Sequence, residues 1–222
     1  SQVELRLLAH FSEDPTMLKA FQDDQDIHSQ TASEVLGLPI NDVTSNDRSM
    51  AKSVNFGLMY GQSSFGLAKA LGISRREAKN YITMYFERFN RVKSYMDSLK
   101  EICEEKGHTV TLFGRKRFLP DIHSKNRTIK SAAERIAVNS PIQGTAADII
   151  KMAMIDININ MEEKDLQSKM LLQVHDELIF EVIEDEIDVM REMVKSCMEG
   201  VVKLKVPLKV DMATGVNWFD LK

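Results

Sequence analysis

The chain has 222 residues, of which 43% are hydrophobic and 28% are charged, and its formal net charge is -4 at pH 7. This composition is typical of a globular protein that buries a core, and it excludes a chain that is mainly disordered. The sequence has no apolar run of about 18 residues, no signal peptide and no cysteine spacing typical of metal sites or disulfide frameworks, so we expect a cytoplasmic protein.

The first half of the chain is predicted to be mostly helical. The segment "SQVELRLLAHF" at 1–11 fits a short strand that passes into a helix, and "EDP" at 13–15 starts a second helix. From His28 to Tyr95 the apolar spacing is helical, with breaks at "LGLP", "GQSSFG" and "LGIS". Residues 107–122 alternate as in a β-hairpin with its turn at Gly114.

The second half mixes helices with strands. Two helices are predicted on either side of Pro141, because proline suits the first turn of a helix and disrupts its interior. Residues 169–183 indicate two strands around a polar turn, 186–202 an amphipathic helix, and 206–218 a closing strand. The pattern predicts an α+β fold in which a strand-bearing layer is interrupted by a long helical insertion.

Charge is distributed unevenly along the chain. Between residues 115 and 135, seven Lys or Arg residues face two acids, a local charge of +5. Between residues 162 and 199, twelve acids face four bases, a local charge of -8. The basic segment suits contact with phosphates, and the acidic segment contains carboxylates that either hold metal ions or face water.

One predicted helix carries two cations and two aromatic residues at intervals of four, in the segment "RSMAKSVNFGLMYG" at 48–61. Arg48, Lys52, Phe56 and Tyr60 form a stripe about 18 Å long, which is roughly the reach of one nucleotide. Two cations near a helix N-terminus suit a polyphosphate, and an aromatic ring further along suits a sugar or base. The stripe by itself also fits an amphipathic helix whose aromatic rings lie in the core.

A second group of polar residues interrupts the predicted strands at 169–183. His175, Asp176 and Glu177 fall at the expected hairpin tip, where carboxylates can hold hard divalent cations through oxygen. A polar turn without any chemical role is the alternative that these three residues leave open.

Taken together, these stretches are similar to the motifs of the family A DNA polymerases. The first motif of that family, D-Y-S-Q-[IV]-E-L-R, is matched in its latter part by "SQVELR" at 1–6. The second, R-x3-K-x3-[FY]-x3-Y-G, is matched from Arg48 to Gly61, and the third, H-D-E, at 175–177. Further similar blocks are "DIH" at 26–28, "TLFGRKR" at 111–117, "ERIAVNSPIQGTAAD" at 134–148 and a terminal "NW", in the right order along the whole chain.

The resemblance implies roles for the stripe. Arg48 and Lys52 would grip the triphosphate of the incoming dNTP, and Lys52 would also assist the departing pyrophosphate. Phe56 would pack beside the sugar and base, and Tyr60 would stack near the template base. Two other dNTP-binding positions are implied at Gln2 and His28, the latter as a phosphate contact.

The remaining implied roles concern the sugar, the metals and the DNA. Glu4 would be the steric gate that disfavours a ribose 2′-hydroxyl. Asp176 and Glu177 would bind metal and act in catalysis with two Mg²⁺ ions, and His175 would lie near the primer end. Duplex DNA would be contacted next to the active site by three residues spaced four apart, Arg135, Asn139 and Gln143, and by Tyr60.

The implied architecture is a polymerase palm with an antiparallel sheet and a mostly helical fingers insertion. The expected divisions are palm at 1–25, fingers at 26–125 and palm at 126–222. The implied reaction is template-directed transfer of a nucleotide from dNTP to the primer 3′-hydroxyl, in bacterial or viral cytoplasm near the nucleoid, or in an organelle. A non-catalytic DNA-binding relic and a single-subunit RNA polymerase of related fold are the alternatives.

The start of the chain falls inside the first motif. The family's metal-bridging aspartate stands two residues before the serine that matches Ser1, so we expect these 222 residues to be inactive alone and to bind duplex DNA weakly. The missing N-terminal portion, with the thumb and the front of the palm, would be a required partner. The chain is expected to be an excerpt of a longer polymerase or, as a second hypothesis, a split-gene product joined by protein splicing at Ser1.

Overall fold

The structure is a computed structural model that describes residues 2–221. Ser1, on which the splicing hypothesis depends, lies outside the described residues. The helices are α1 (Gln2–Ser12), α2 (Pro15–Gln22), α3 (Ile27–Leu36), α4 (Ser45–Met59), α5 (Ser64–Leu71), α6 (Arg75–Arg88), α7 (Asn90–Lys106), α8 (Arg127–Glu163) and α9 (Ile187–Gly200). The strands are β1 (His108–Val110), β2 (Lys116–Phe118), β3 (Lys169–Val174) and β4 (Glu177–Glu181).

Helices together with two antiparallel hairpins confirm the predicted α+β class. The chain divides into two compact units, Ser1–Thr145 and Ala146–Lys222, and the division falls within α8. The palm and fingers boundaries at 25/26 and 125/126 do not coincide with this division, and they remain a prediction. None of the helices in residues 2–221 combines the length and the apolar character that crossing a bilayer requires.

The first unit positions α3 and α4 against each other. Asp26 caps the start of α3 by accepting hydrogen bonds from two backbone N–H groups of its first turn, and Gly37, with φ at 67°, ends the helix. A capping box between Thr44 and Asp47 fixes the start of α4. The core of this unit contains large side chains that are almost completely buried: Leu5, Leu7, Leu8, Phe21, Ile27, Met59, Leu67, Tyr85 and Phe89.

The predicted hairpin at 107–122 is present. Strands β1 and β2 pair antiparallel, with Thr109 opposite Arg117, and Gly114 in the turn has a φ of 82°. A positive φ of this kind is available to glycine without steric cost, which explains why the turn forms there.

The second unit contains the other hairpin and the amphipathic helix, as predicted. Strands β3 and β4 pair antiparallel, and Val174 lies opposite Glu177. The apolar face of α9 buries Met190, Met193 and Val194 against the C-terminal part of α8. This packing supports the hairpin from one side, because Met170 and Phe180 contact the same cluster.

Three predicted elements are wrong. Residues 2–12 form one helix and no initial strand. The run from Leu5 to Ala9 is continuously buried, and such a run shows neither the helical period of 3.6 residues nor the strand period of two, so the sequence pattern could not separate helix from strand there. Residues 206–217 lie in no helix or strand, and only Val206 among them is deeply buried. Without a neighbouring strand, these residues cannot pair their backbone N–H and C=O groups in a β-ladder.

The predicted break at Pro141 is also absent, because α8 continues through the proline. An interior proline costs about 3 kcal/mol through a lost backbone hydrogen bond and a clash. Ala137, Val138 and Ile142 on either side of it are buried, and the Thr145 hydroxyl donates to the Pro141 carbonyl oxygen at 2.5 Å. Burial of both flanks outweighs the local preference for a break.

Candidate functional site

The cationic and aromatic stripe lies along α4, as predicted. Arg48 and Lys52 are exposed, Phe56 is half-buried, and Tyr60, which directly follows the last residue of α4, is 36% exposed. The Phe56 and Tyr60 rings stack with centroids 6.3 Å apart and planes 21° from parallel. This exposure excludes the alternative in which both rings are core residues, and it leaves a face with charge at one end and aromatic surface at the other.

Arg48 forms an ion pair that the sequence did not predict. Its Nε donates to Oδ2 of Asp26 at 2.5 Å, joining the start of α4 to the start of α3. Burial by itself would raise the pKa of Asp26, but hydrogen bonds from the Arg48 guanidinium and from two backbone N–H groups outweigh it and hold that pKa below its ordinary value. Asp26 is therefore a carboxylate at neutral pH.

His28 lies on α3 beside Phe56, with ring centroids 5.7 Å apart, and is 4% exposed. Burial lowers the pKa of His28, and the nearby charges of Arg48 and Lys52 lower it further, whereas Asp26 opposes them. The imidazole is therefore neutral at pH 7. Because Asn55 Nδ2 lies 3.1 Å from His28 Nδ1 and is a donor, Nδ1 accepts and the ring proton is on Nε2.

Asn55 is a site residue that the sequence analysis missed. It is fully buried, and its Nδ2 also donates to the Thr31 hydroxyl oxygen at 3.0 Å, while that hydroxyl donates to the Ile27 carbonyl oxygen at 2.7 Å. The available signal was its position on the apolar face of α4 between Val54 and Leu58, where an unpaired amide would be costly.

We expect Asn55→Leu to lower the free energy of unfolding of the full-length protein by about 1–3 kcal/mol, because the buried His28 Nδ1 loses its donor. Chemical unfolding followed by fluorescence measures the change. Ser53→Ala is the matched control on α4, since its exposed hydroxyl donates to the Ser49 carbonyl of the same helix. Equal stability of Asn55→Leu and Ser53→Ala would contradict the network.

The C-terminal end of α4 gathers several of the predicted residues. The Tyr60 hydroxyl donates to the Glu4 carboxylate, and Asn139 Nδ2 donates to the Tyr60 carbonyl at 3.4 Å. Gly61 has a φ of 69°, and a Cβ there would lie 2.8 Å from Arg135 Cγ, so the arginine stem packs on the bare glycine. Glu4, Tyr60, Arg135 and Asn139 thus form one cluster.

Two further predicted residues of the first unit, Gln143 and Gln2, lie outside that cluster. Gln143 is exposed, one turn beyond Asn139 on α8, and it borders a shallow depression with Arg115, whose Nη2 donates to the Gly144 carbonyl at 2.9 Å. Gln2 is exposed, and its Oε1 accepts from Arg6 Nη2 at 3.4 Å.

The carboxylate hairpin of the second unit has the predicted form. His175 and Asp176 are the two-residue turn between β3 and β4, and Glu177 is the first residue of β4. All three are exposed, and His175 has a φ of 54°, a conformation that histidine adopts more readily than most residues. Gln173 Nε2 donates to the His175 carbonyl at 2.8 Å and braces the turn.

No group of three or more His, Cys, Asp or Glu residues is arranged to hold a metal ion within residues 2–221. Mg²⁺ is commonly held by one or two carboxylates, with waters and substrate phosphates completing its shell. The donor set of Asp176 and Glu177 fits that incomplete type of site.

Known proteins are similar to this chain from one end of it to the other. A model of DNA polymerase family A matches residues 1–220. DNA polymerase I from Caldicellulosiruptor bescii is 52% identical over 222 residues, which are 100% of this chain and 26% of the relative. DNA polymerase I from Bacillus subtilis is 49% identical over 222 residues, 100% of this chain and 25% of the relative. This chain therefore spans about a quarter of the length of these curated relatives.

A solved structure is similar as well. It is the POL domain of Pol1 from M. smegmatis in complex with DNA primer-template and dNTP. The TM-score is 0.91 at 44% sequence identity, and the match covers 94% of this chain and 37% of the other.

Proposed function

Because the chain belongs to DNA polymerase family A, we propose that it is the part of a DNA-directed DNA polymerase that binds the incoming dNTP and supplies carboxylates for nucleotidyl transfer. The observation that carries this proposal is the α4 face, on which exposed Arg48 and Lys52 lead to the stacked rings of Phe56 and Tyr60. The M. smegmatis relative, in complex with primer-template and dNTP, supports the same ligands for this chain. We assign residues 26–125 to the fingers and 1–25 with 126–222 to the palm.

The triphosphate is bound by charge and by directed donors. Arg48 offers the terminal nitrogens of its guanidinium, and Lys52, one turn further along α4, adds a second positive charge. Neutral His28 donates from Nε2, because Asn55 occupies Nδ1. When pyrophosphate leaves, the Lys52 ammonium stabilises the charge that develops on it.

Asp176 and Glu177 would hold Mg²⁺ at the hairpin tip, with further ligands from the substrate and from the rest of the polymerase. Two bound Mg²⁺ ions would lower the pKa of the primer 3′-hydroxyl and neutralise the charge on the pyrophosphate. His175 contacts the primer end in this proposal.

Sugar and template are selected at the aromatic end of α4. Glu4, held by the Tyr60 hydroxyl, excludes a ribose 2′-hydroxyl, and Phe56 packs against the deoxyribose. Arg135, Asn139 and Gln143 contact the duplex, and the basic segment 115–135 adds sequence-independent attraction to the phosphates. Base pairing supplies the sequence choice.

We expect Phe56→Tyr in the full-length enzyme to increase dideoxynucleotide incorporation relative to dNTP by at least about tenfold, since the added hydroxyl replaces the missing 3′-hydroxyl contact and each tenfold change needs only 1.4 kcal/mol. Competition between ddNTP and dNTP in primer extension measures the ratio. Phe65→Tyr, a change at an exposed ring on α5, is the control. An unchanged ratio for Phe56→Tyr would mean that Phe56 does not face the sugar.

Primer extension by the full-length protein tests the function as a whole. Extension with dNTP and not with rNTP supports it, preference for rNTP would favour the RNA polymerase alternative, and no extension would favour a DNA-binding relic. We further infer that these 222 residues require the other three quarters of the polymerase, because the relatives are about four times as long. Assays of this chain alone, of the separately made remainder and of their mixture test that inference.

A further inference from the structure

We propose that Asp26 is a positioning residue for the triphosphate, whose carboxylate fixes the Arg48 guanidinium and the first turn of α3, with His28, in one arrangement before the nucleotide arrives. The proposal rests on the proposed function of Arg48 and His28 as phosphate-binding residues.

The two oxygens of Asp26 have different partners. Oδ2 accepts from Arg48 Nε at 2.5 Å, and Oδ1 accepts from the backbone N–H groups of His28 and Ser29 at 2.9 and 3.1 Å. The Asp26 side chain thus joins Arg48 on α4, which is 22 positions from Asp26 in sequence, to the end of α3 that carries the imidazole. Asn55 makes a second link between the same two helices, to His28 Nδ1.

The geometry of the pair leaves the binding nitrogens available. In the described part of the chain, the contact of Arg48 with Asp26 is through Nε, so Nη1 and Nη2 remain as donors for a phosphate. A guanidinium held through Nε has fewer rotamers to lose when a ligand binds, and that preorganisation raises affinity.

The exposure of the pair argues that its main role is not stability. The Arg48 and Asp26 side chains are 45% and 40% exposed, and ion pairs in such positions contribute little to folding. A short charged contact between two helices at the phosphate-binding end of α4 is better explained by its effect on the orientation of the Arg48 guanidinium.

Asp26→Asn in the full-length polymerase separates the two tasks of the carboxylate. Asparagine caps helices as well as aspartate does, so its Oδ1 keeps the bonds to α3, but its Nδ2 presents a donor to the Arg48 donor. We expect the KM for dNTP to rise about tenfold while kcat changes by less than about threefold, since ground-state alignment of the triphosphate is lost.

Asp23→Asn is the matched control. Asp23 is 43% exposed and pairs with Lys19 at 2.5 Å, the same length as the Asp26 pair, but its ion-pair partner lies on α2 and not on the α4 stripe. This variant should leave the KM for dNTP unchanged, which excludes a general effect of removing one acidic charge from this region.

A double-mutant cycle with Arg48→Ala decides how Asp26 acts. If Asp26 works through Arg48, then Asp26→Asn changes the KM by less than about twofold in the Arg48→Ala background. An equal effect in both backgrounds, or a lower KM in Asp26→Asn alone, would overturn the inference. If Arg48→Ala raises the KM and Asp26→Asn does not, only this inference fails. If Arg48→Ala has no effect, the proposed role of Arg48 fails with it.

Discussion

Asp176→Asn in the complete polymerase is expected to lower the rate of primer extension by about 10²- to 10³-fold, with duplex DNA binding retained. Asparagine has almost the same size as aspartate, but it lacks the charge that offsets a divalent cation. The residue is exposed in a two-residue turn, where asparagine is equally favourable, so β3–β4 pairing stays intact. Single-turnover extension and fluorescence anisotropy with labelled duplex measure the two quantities.

Two further variants make this result specific. Glu177→Gln should reduce the rate of primer extension less than Asp176→Asn does, because the resemblance makes Asp176 the principal ligand and Glu177 is the neighbouring residue at the start of β4. Asp165→Asn should have no effect, since Asp165 is an exposed turn residue of the same unit with a φ of 52° that asparagine tolerates. Normal extension by Asp176→Asn would show that the hairpin tip does not hold the metal.

Lys52→Ala is expected to reduce kcat by about 10²-fold, since in the proposed mechanism the ammonium would stabilise charge that appears on pyrophosphate only as the reaction proceeds. Lys52 is exposed on α4 and caps no element, so folding should be unaffected. Rapid-quench kinetics over a range of dNTP concentrations separates kcat from KM. Lys69→Ala, at an exposed lysine on α5, is the control. An increase in KM without loss of kcat would restrict Lys52 to ground-state binding.

The elements predicted correctly are those with strong local signals. Gly114 between alternating residues and the polar residues at 175–176 between apolar runs each predicted a hairpin, because turn chemistry is set by neighbours in sequence. The motif spacing located the α4 stripe for the same reason, since positions four apart share one helix face.

The predictions that were wrong, and the site residues that were missed, concern features that depend on tertiary packing. Pro141 lies inside a continuous helix because the residues around it are buried, and 206–217 is not a strand because pairing requires a partner. Asp26 and Asn55 received no role because their partners, Arg48 and His28, are 22 and 27 positions away. A single sequence gives no distance between such residues.

The lowered pKa of His28 makes the ring less sensitive to acid than an exposed histidine. Burial, together with the neighbouring cations Arg48 and Lys52, keeps that pKa below its ordinary 6.5. As the pH falls from neutral, the ring therefore stays neutral to a lower pH than a surface histidine would, and over that range its Nε2–H donor is unchanged.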